Sequence, residues 1–575
     1  MTDLPPVRER QKPIKLAYFS LEIMLRTHIP TYAGGLGILA GDLLRSCADM
    51  RIPAVGVTLV YNGRNFNQVF QPDGTQTYEE VEWRKNDQFI RLPETITLKI
   101  DNQDVKVGVW RYDIVGYDEF VVPVFLLDTD HIDNEPWKKH ITDNLYGGEH
   151  YARVCQEIVL GIGGVKMLRE LGYFEIEQYH MNEGHACFVP LGLLPEHNYN
   201  DDEVRRKCVF TTHTPIPEGH DIFSYEHVQK YAQEYLPWHI KKLATEEAFH
   251  TTHLAMNMSH YTFGVSQKHG EVTRHLFPGK DIHAITNGVH HRTWTCSNMQ
   301  DLYNKYMEEW NQDPSLFTEV VHRIPGDELW RAHQEAKKIL VNYVNKHLTS
   351  SQDEEGKEHP VPEELFDTDT LTIALARRPV PYKRPLLVYS DLNRLIRLGA
   401  GRLQIIQSGK SHPDDKNSQA IVSEILKISK KLKGILRIVY LENYSPKIAR
   451  LLTSGCDVWL NTPRRPLEAS GTSGMKAAMN GVLNFSVLDG WWIEGFHMAP
   501  QAGWSIGPLD DKLQPSNDDQ VDSDDLYRKL ENEILPLYYN NRTEWITRMK
   551  HAITLGAYFN THRCMKEYQE KAYRL

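Results

Sequence analysis

The chain is expected to fold as an α/β protein of two lobes, each built on a mainly parallel sheet, with a functional cleft between them. Three observations carry that expectation. Short apolar runs alternate with longer helical patterns along most of the chain. At 575 residues the chain is too long for one ordinary core. A polar break past the midpoint is followed by a second round of the same alternation.

Ile14 to Phe19 reads as a first strand. The turn Ala33-Gly34-Gly35-Leu36-Gly37 then leads into a helix ending near Met50, and Pro53 to Val60 reads as the next strand. Residues 105–126 carry two β-rich runs around Val115-Gly116-Tyr117-Asp118, a hairpin expected at a sheet edge. Gln156 to Leu171 shows the apolar face of a helix through Ile158, Val159, Ile162, Val165 and Leu168. Strand-like runs recur at Gln178–Met181, Cys208–Thr212 and His283–Thr286. The second half starts after about Trp294, with Asp327 to His347 helical. Thr349 to Asp369 has too little apolar surface to pack and reads as a surface loop. Strands then follow at Leu371–Leu375, Leu403–Gln407, Leu436–Tyr440, Asp457–Asn461 and Val482–Ser486. An acidic stretch, Asp510 to Asp525, precedes helices to the C-terminus.

The formal charge is −11, from 65 Lys+Arg against 76 Asp+Glu. That balance argues against nonspecific binding to nucleic acid or to an anionic membrane. Seven scattered cysteines without a C-x-x-C pair argue against a disulfide framework or a zinc ribbon. No apolar signal core opens the chain and no run is long enough to span a bilayer, so a reducing cytoplasm is the expected compartment.

Six segments carry candidate chemistry. In Glu468-Ala469-Ser470-Gly471-Thr472-Ser473-Gly474-Met475-Lys476-Ala477-Ala478-Met479-Asn480-Gly481 a glycine-rich loop opens a helix with one lysine just inside it. Helix-start amides favour a phosphate, and a lysine beside it suits an aldehyde-bearing phosphorylated cofactor. A structural turn with a solvent-facing lysine would read the same in isolation. Arg377-Arg378-Pro379-Val380-Pro381-Tyr382-Lys383-Arg384 sets four basic residues at a strand's carboxyl end, an anion site in an acidic protein. Thr31 to Asp42 is a strand–turn–helix glycine loop whose amides suit an anion, or whose glycines allow close helix packing. Tyr179 to His185, Cys208 to Pro215 and Thr286 to Trp294 end strands in His, Asn and Glu, which suits recognition of sugar hydroxyls. Within the last, His290 and His291 are neighbours on an extended run and point to opposite faces, so no metal is expected there.

Taken in order, these segments resemble the α-glucan (glycogen, starch and maltodextrin) phosphorylases, and most closely their short, unregulated branch. The resemblance runs from Leu16-Ala17-Tyr18-Phe19-Ser20-Leu21-Glu22 to beyond Trp492, and Glu468 to Asn480 with Leu488-Asp489-Gly490 is its most specific part. It implies two Rossmann-like domains facing across a cleft, the GT-B arrangement. Residues 1–295 would form the glucan side, 296–555 the cofactor and phosphate side, and 556–575 a C-terminal helix packing back on the first domain. It implies Lys476 as the Schiff-base lysine of pyridoxal 5′-phosphate, with Thr472, Ser473 and Arg377 near the cofactor phosphate. Arg378, Lys383 and the backbone of Gly35 would bind substrate phosphate. His213, through its carbonyl, and Asn287 would meet the sugar at the cleavage point. Glu468, Ser470 and Gly471 would hold its other hydroxyls, with His185 lining the same pocket.

The activity implied is reversible, configuration-retaining phosphorolysis of terminal α-1,4-glucosyl units to α-glucose 1-phosphate. The partners implied are the glucan and inorganic phosphate; family members are often dimers, and no interface is legible in the chain. Ser473-Gly474 stands where animal and plant members carry Gly-Asn, Arg377 replaces a lysine common there, and Asn62-Gly63-Arg64-Asn65-Phe66 is a loose match to a cofactor-contacting segment. Little chain precedes Ile14, so no phosphorylation control or AMP activation is expected. A retaining nucleotide-sugar glycosyltransferase shares the glycine loop but does not need Lys476, and a non-catalytic glucan-binding relative would not need Arg378, Lys383 and Lys476 intact.

Overall fold

The computed structural model describes residues 13–63, 65–71, 75–81, 83–146, 150–349, 365–411, 413–509 and 516–573. Most of the expected surface loop at 349–369, the first part of the acidic stretch and Arg64 lie outside them.

The strands in chain order are β1 (Leu16–Phe19), β2 (Ala54–Leu59), β3 (Asn65–Phe70), β4 (Gln76–Val81), β5 (Ile90–Ile100), β6 (Gln103–Val115) and β7 (Val121–Asp128), followed by β8 (Gln178–Asn182), β9 (Cys208–Thr211), β10 (Ile222–Phe223), β11 (Phe249–His250), β12 (Tyr261–Gly264) and β13 (His283–Ala284). Nine of them form one sheet in the order β13-β12-β9-β8-β1-β2-β7-β6-β5. It is parallel from β13 to β7, and β6 and β5 extend it antiparallel. The second half supplies β14 (Leu371–Ala376), β15 (Leu403–Ser408), β16 (Arg437–Leu441), β17 (Val458–Asn461), β18 (Leu483–Val487) and β19 (Gly503–Ile506). These make an all-parallel sheet, β16-β15-β14-β17-β18-β19. Its central strands are mostly apolar and buried along their length, as strands covered by helices on both faces must be.

The chain departs from the sequence expectations where close backbone approach or pairing decides the outcome. The hairpin of residues 105–126 is real, but β6 lies one strand in from the edge, because β5 pairs outside it. Strand β5 escaped notice because Pro93 and Glu94 interrupt its apolar–polar alternation and its first half is largely exposed. The expected helix at 156–171 is broken: helix His150–Ile158 passes into a π turn, Val159–Gly163, before continuing over Gly164–Glu170. Gly161 sits against the Phe188 backbone, where a Cβ would come within 2.6 Å. The bulge lets two backbones touch.

Helix α1 (Gly35–Asp49) follows the glycine turn and packs under the first sheet. The C-terminal helix Thr561–Glu567 returns to it. Ser46 Oγ donates to Thr561 Oγ1 at 2.7 Å, and Tyr573 OH lies 2.7 Å from His180 Nδ1 on β8. Cys564, Met565, Tyr568 and Tyr573 share one apolar core with Leu16, Tyr18 and Leu44. Elsewhere the two sheets are tied by polar contacts from the β3–β4 hairpin. Asn443 Nδ2 donates to Gln68 O at 3.0 Å, Phe70 N donates to Glu442 Oε2 at 3.2 Å, and Tyr78 OH lies 2.9 Å from Ser411 Oγ.

The second sheet is pinned at its amino-terminal edge by a buried charge pair. Lys337, on helix Gly326–Thr349, donates to Asp457 Oδ2 at 2.6 Å and to Thr370 O at 2.8 Å, and His333 Nε2 lies 3.0 Å from Asp457 Oδ1. Burial pushes the Asp457 carboxyl up, but Lys337 and His333 outweigh it and hold it below its ordinary value. Lys337→Met should therefore lower the thermal midpoint, with a cost of about 3–5 kcal/mol for the stranded carboxylate. Adding Asp457→Asn should recover part of the loss in the same melting experiment; an unchanged midpoint in Lys337→Met would deny the pair its structural role.

Candidate active site

In an open parallel sheet the place where strand order reverses leaves a crevice at the carboxyl ends of the central strands. In the second sheet the reversal falls between β14 and β17, and the loops leaving them carry Arg377–Lys383 and Thr462–Glu468. In the first sheet it falls between β1 and β8, whose loops carry Glu22 and Glu183–His185. The sequence motifs therefore sit where the topology makes room for a ligand.

On the second sheet the loops converge on Glu468. Lys383 Nζ donates to Glu468 Oε2 at 2.5 Å, and Arg377 Nη1 lies 3.6 Å from the same oxygen. Burial pushes the Glu468 carboxyl up, but Lys383 and then Arg377 outweigh it and hold it below its usual value. Arg377 is half-buried, and its Nε and Nη1, both shielded from solvent, make no hydrogen bond. Behind Glu468, Asp489 accepts from the backbone N–H of Glu468 at 2.8 Å and of Gly490 at 2.9 Å. Burial pushes Asp489 up to about 8, against those two amides, so its loop is held by a largely protonated carboxyl near neutral pH. Gly471 adopts a φ of +80°, which only glycine takes without strain, and this turns the chain from Glu468 into helix Ser473–Met479.

Lys476 lies inside that helix with its side chain buried, and Nζ sits 3.6 Å from the centroid of the Trp294 ring. Burial pulls the amine down to about 8, opposed by the charge of Asp42. Trp294 is held in place by Asp42 of α1, whose Oδ2 accepts Trp294 Nε1–H at 2.7 Å and the His290 amide at 3.1 Å. Asn480 closes the other side. It donates to the carbonyls of Trp294 and Lys476 at 2.9 and 2.8 Å and accepts from the Cys296 amide at 2.8 Å. The glycine loop thus acts on the lysine from a distance, through the helix it starts. The helix holding Lys476 has only 7 residues, too few for its dipole to be a large term, so cationic side chains carry the anion affinity here.

On the first sheet Glu183 joins two strand-end loops. Its Oε1 accepts from Gly184 N–H at 2.9 Å, and its Oε2 from the His213 amide at 2.7 Å and the Thr214 hydroxyl at 3.0 Å. It does this at a φ of +76°, a conformation that costs of order 1–3 kcal/mol and is kept by those three bonds. Asn182 donates to Ser20 Oγ, so its Oδ1 is left to accept from His213 Nε2 at 2.7 Å, which assigns the tautomer of His213. Burial holds His213 neutral, pulling it to about 3. His185 Nε2 accepts the Leu21 amide at 3.0 Å, and burial holds this ring neutral too.

The expected free amides at the glycine loop are partly taken. Glu22 Oε2 accepts from Ala33 and Gly34 at 2.7 and 3.0 Å, and its Oε1 accepts from Tyr146 OH at 2.8 Å. Gly35 stands exposed at the first turn of α1, next to this occupied cap.

The two sides meet at Ala469. Ser266, at the end of β12, donates its hydroxyl to Ala469 O at 2.6 Å. Asn287 N donates at 3.0 Å to the carbonyl of Val265, the residue before Ser266, and Arg563 of the C-terminal helix donates to Asn287 O at 3.2 Å. Asn287 Oδ1 and Ser470 Oγ are buried with no hydrogen-bond partner, as are the two nitrogens of Arg377. Orphaned donors and acceptors on facing loops are what a polar ligand would satisfy.

Glu468, Lys383, Arg377, Ser470, Gly471 and Asn287 therefore belong to one neighbourhood. Thr472 and Ser473 border it, half-buried. Arg378 does not join it: its side chain is exposed and reaches Asp415 at 3.5 Å. Of the loosely matching segment at 62–66, Arg64 is not described, and Asn62 turns instead to Asp128 at 3.0 Å. Sequence reasoning missed Glu22, Asp42, Glu183, Trp294 and Asp489 as working parts. All five lie inside the quoted motifs, but each acts through backbone amides or a neighbour's ring, which residue type alone does not reveal.

The family profile described as "Carbohydrate phosphorylase" matches residues 220–505. The maltodextrin phosphorylase of Thermococcus litoralis is 37% identical over 97% of this chain and 70% of its own length. The glycogen phosphorylase of Aquifex aeolicus is 33% identical over 98% of the chain and 86% of its own, and that of Mycobacterium tuberculosis 34% identical over 98% and 71%.

Glu468 is depressed in the folded state, so the stability it contributes is present above its unfolded value of about 4.5 and is lost as pH falls through the folded value. Glu468→Gln leaves Lys383 and Arg377 without their counter-charge and should cost about 3 kcal/mol at neutral pH. The gap between wild type and variant in thermal midpoint should narrow as melts are taken to more acid pH. A gap of constant size would mean that the glutamate's charge is not what the cations need.

Proposed function

This chain belongs to the carbohydrate phosphorylases, and from that membership we propose that it phosphorolyses terminal α-1,4-glucosyl units of a glycogen-, starch- or maltodextrin-type glucan, with retention, to α-glucose 1-phosphate. The observation that carries the reading is the buried Lys476 amine, pulled down to about 8 and set against the Trp294 ring, on the helix that follows the Glu468 loop with its unsatisfied donors. The first-sheet half, residues 1–295, is read as the glucan side and residues 296–555 as the cofactor side, two Rossmann-like domains facing across a cleft, with 556–575 crossing back.

The residues fit pyridoxal 5′-phosphate. An amine pulled to about 8 is available near neutral pH as an ordinary surface lysine is not. The Trp294 face gives a flat ring something to lie against, and the free nitrogens of Arg377 suit a phosphate, with Thr472 and Ser473 beside it. When bound, the cofactor supplies a phosphate that exchanges a proton with the substrate phosphate.

This chain's own groups supply the rest. Lys383 and Arg377 hold two neighbouring anions against their mutual repulsion. In the free protein Glu468 is their counter-charge; in the complex its carboxylate turns to the sugar hydroxyls together with Ser470 and the Gly471 backbone. Arg378 reaches substrate phosphate after leaving Asp415, a surface pair of little worth, and Gly35 offers its backbone from the glycine loop. The His213 carbonyl, aimed by Glu183 and Asn182, faces the positive charge that develops at the anomeric carbon, and Asn287 and the neutral His185 bind hydroxyls around it. Because His213 and His185 are held neutral by burial, they position the sugar and carry no charge into the site. Among the described residues no helix is long and apolar enough to cross a membrane; with seven free cysteines, a cytoplasmic enzyme is the reading adopted.

Incubation with maltoheptaose and inorganic phosphate should yield glucose 1-phosphate. Product formation only from a nucleotide-sugar donor would replace this reading with the glycosyltransferase one. Lys476→Ala should lose borohydride-trappable pyridoxal and nearly all turnover, and capture of the cofactor by wild-type apoprotein should quicken as pH rises through about 8. A variant that keeps both label and rate would dismiss Lys476.

A further inference from the structure

Asp49, His290 and His562 bring three donor atoms within 4.8 Å of one another, and none of the three is a residue assigned to the proposed site. They come from three separate places: the last residue of α1, the segment following Asn287, and the C-terminal helix. Asp49 Oδ2 lies 2.9 Å from His290 Nε2 and 3.6 Å from His562 Nε2. A tetrahedral ion with bonds of about 2.1 Å has edges of about 3.4 Å between its ligands. Two of the three donor pairs are therefore near that edge length, and the third lies within 4.8 Å.

Four further observations favour a cation at that point. His562 is buried, and its Nε2 has no hydrogen-bond partner, a cost of roughly 1–3 kcal/mol that ligation would remove. His290 Nδ1 is 2.7 Å from Thr293 Oγ1, so the hydroxyl can orient the ring with Nε2 turned to the ion, as outer partners of ligating histidines do. Asp49 ends a helix of 15 residues, where the dipole favours positive charge. Arg292 approaches the other carboxylate oxygen, Oδ1, at 3.3 Å and leaves Oδ2 to the histidines.

A cavity of about 390 Å³, lined in part by Asp49, His290, Arg45 and Arg292, opens onto the cluster and gives an entry path and a place for a fourth ligand. His291 is not one of the three converging donors: its Nε2 is 2.9 Å from Asn311 O, and its Nδ1 is buried without a hydrogen-bond partner.

We propose that Asp49, His290 and His562 bind a divalent transition-metal ion of the zinc class, with water or a small anion from the cavity as fourth ligand. Its role is structural. It clamps α1, the segment carrying Asn287 and the C-terminal helix into one unit. The sequence excluded a metal by weighing His290 against His291; the partner that completes the set is His562, far along the chain.

Protein stripped with chelator and titrated with Co²⁺ alone should take up one equivalent, with visible d–d absorption of a four-coordinate nitrogen–oxygen site and a raised melting temperature. In His562→Gln the absorption should vanish or the affinity fall at least about tenfold. X-ray absorption of the wild-type Co²⁺ protein should show two imidazoles, which decides the matter even if the variant folds poorly. No d–d band at large Co²⁺ excess, or a folded His562→Gln that binds as the wild type does, would overturn the proposal and leave Asp49 as a counter-charge to His290 and Arg292 only.

Discussion

Burial of unlike charges at one point is the constraint on which this molecule depends. Lys383, Arg377 and Glu468 arrive from the ends of two neighbouring strands, and none of the three is affordable alone in so dry a place. The loop leaving β14 must meet the loop leaving β17, and the strand order of the second sheet follows from that demand as much as from its apolar runs. The same cluster leaves donors unsatisfied, which marks it as a binding site and not merely a structural knot.

A second chain of dependence runs through α1. The glycine loop looked like an anion cradle in its own right, yet two of its amides are already occupied by Glu22. Its larger service is to start a helix whose Asp42 holds Trp294, and Trp294 forms the wall against Lys476. The glycines matter here for packing: a Cβ at Gly41 would come within 2.2 Å of the Met24 carbonyl. The two readings weighed for this loop are thus divided between its residues.

Much of this was legible in the sequence. The parallel strands β1, β2, β8, β9 and β14 to β18 announce themselves as apolar runs, because strands covered on both faces need no alternation. Lys476, Lys383, Arg377 and Glu468 were legible because their types and spacing are unusual together. What escaped was relational. Strand β5 is half-exposed, and Pro93 and Glu94 interrupt its alternation. The π turn at Val159–Gly163 answers a contact with Phe188 that no local window contains. Glu183 works through a strained φ set by its three hydrogen bonds. Arg378 looked equivalent to its neighbour Arg377, but successive residues leave a strand end in opposite directions, and only one of the pair turns inward.

The return of the C-terminal helix bears on how such a chain is made. Tyr573 bonds to His180, 393 residues earlier, and the aromatic residues around it complete the core beneath the first strand. A ribosome releases the amino-terminal half long before those residues exist. The first sheet therefore stays incompletely covered until residues 564–573 have been made and have packed against it.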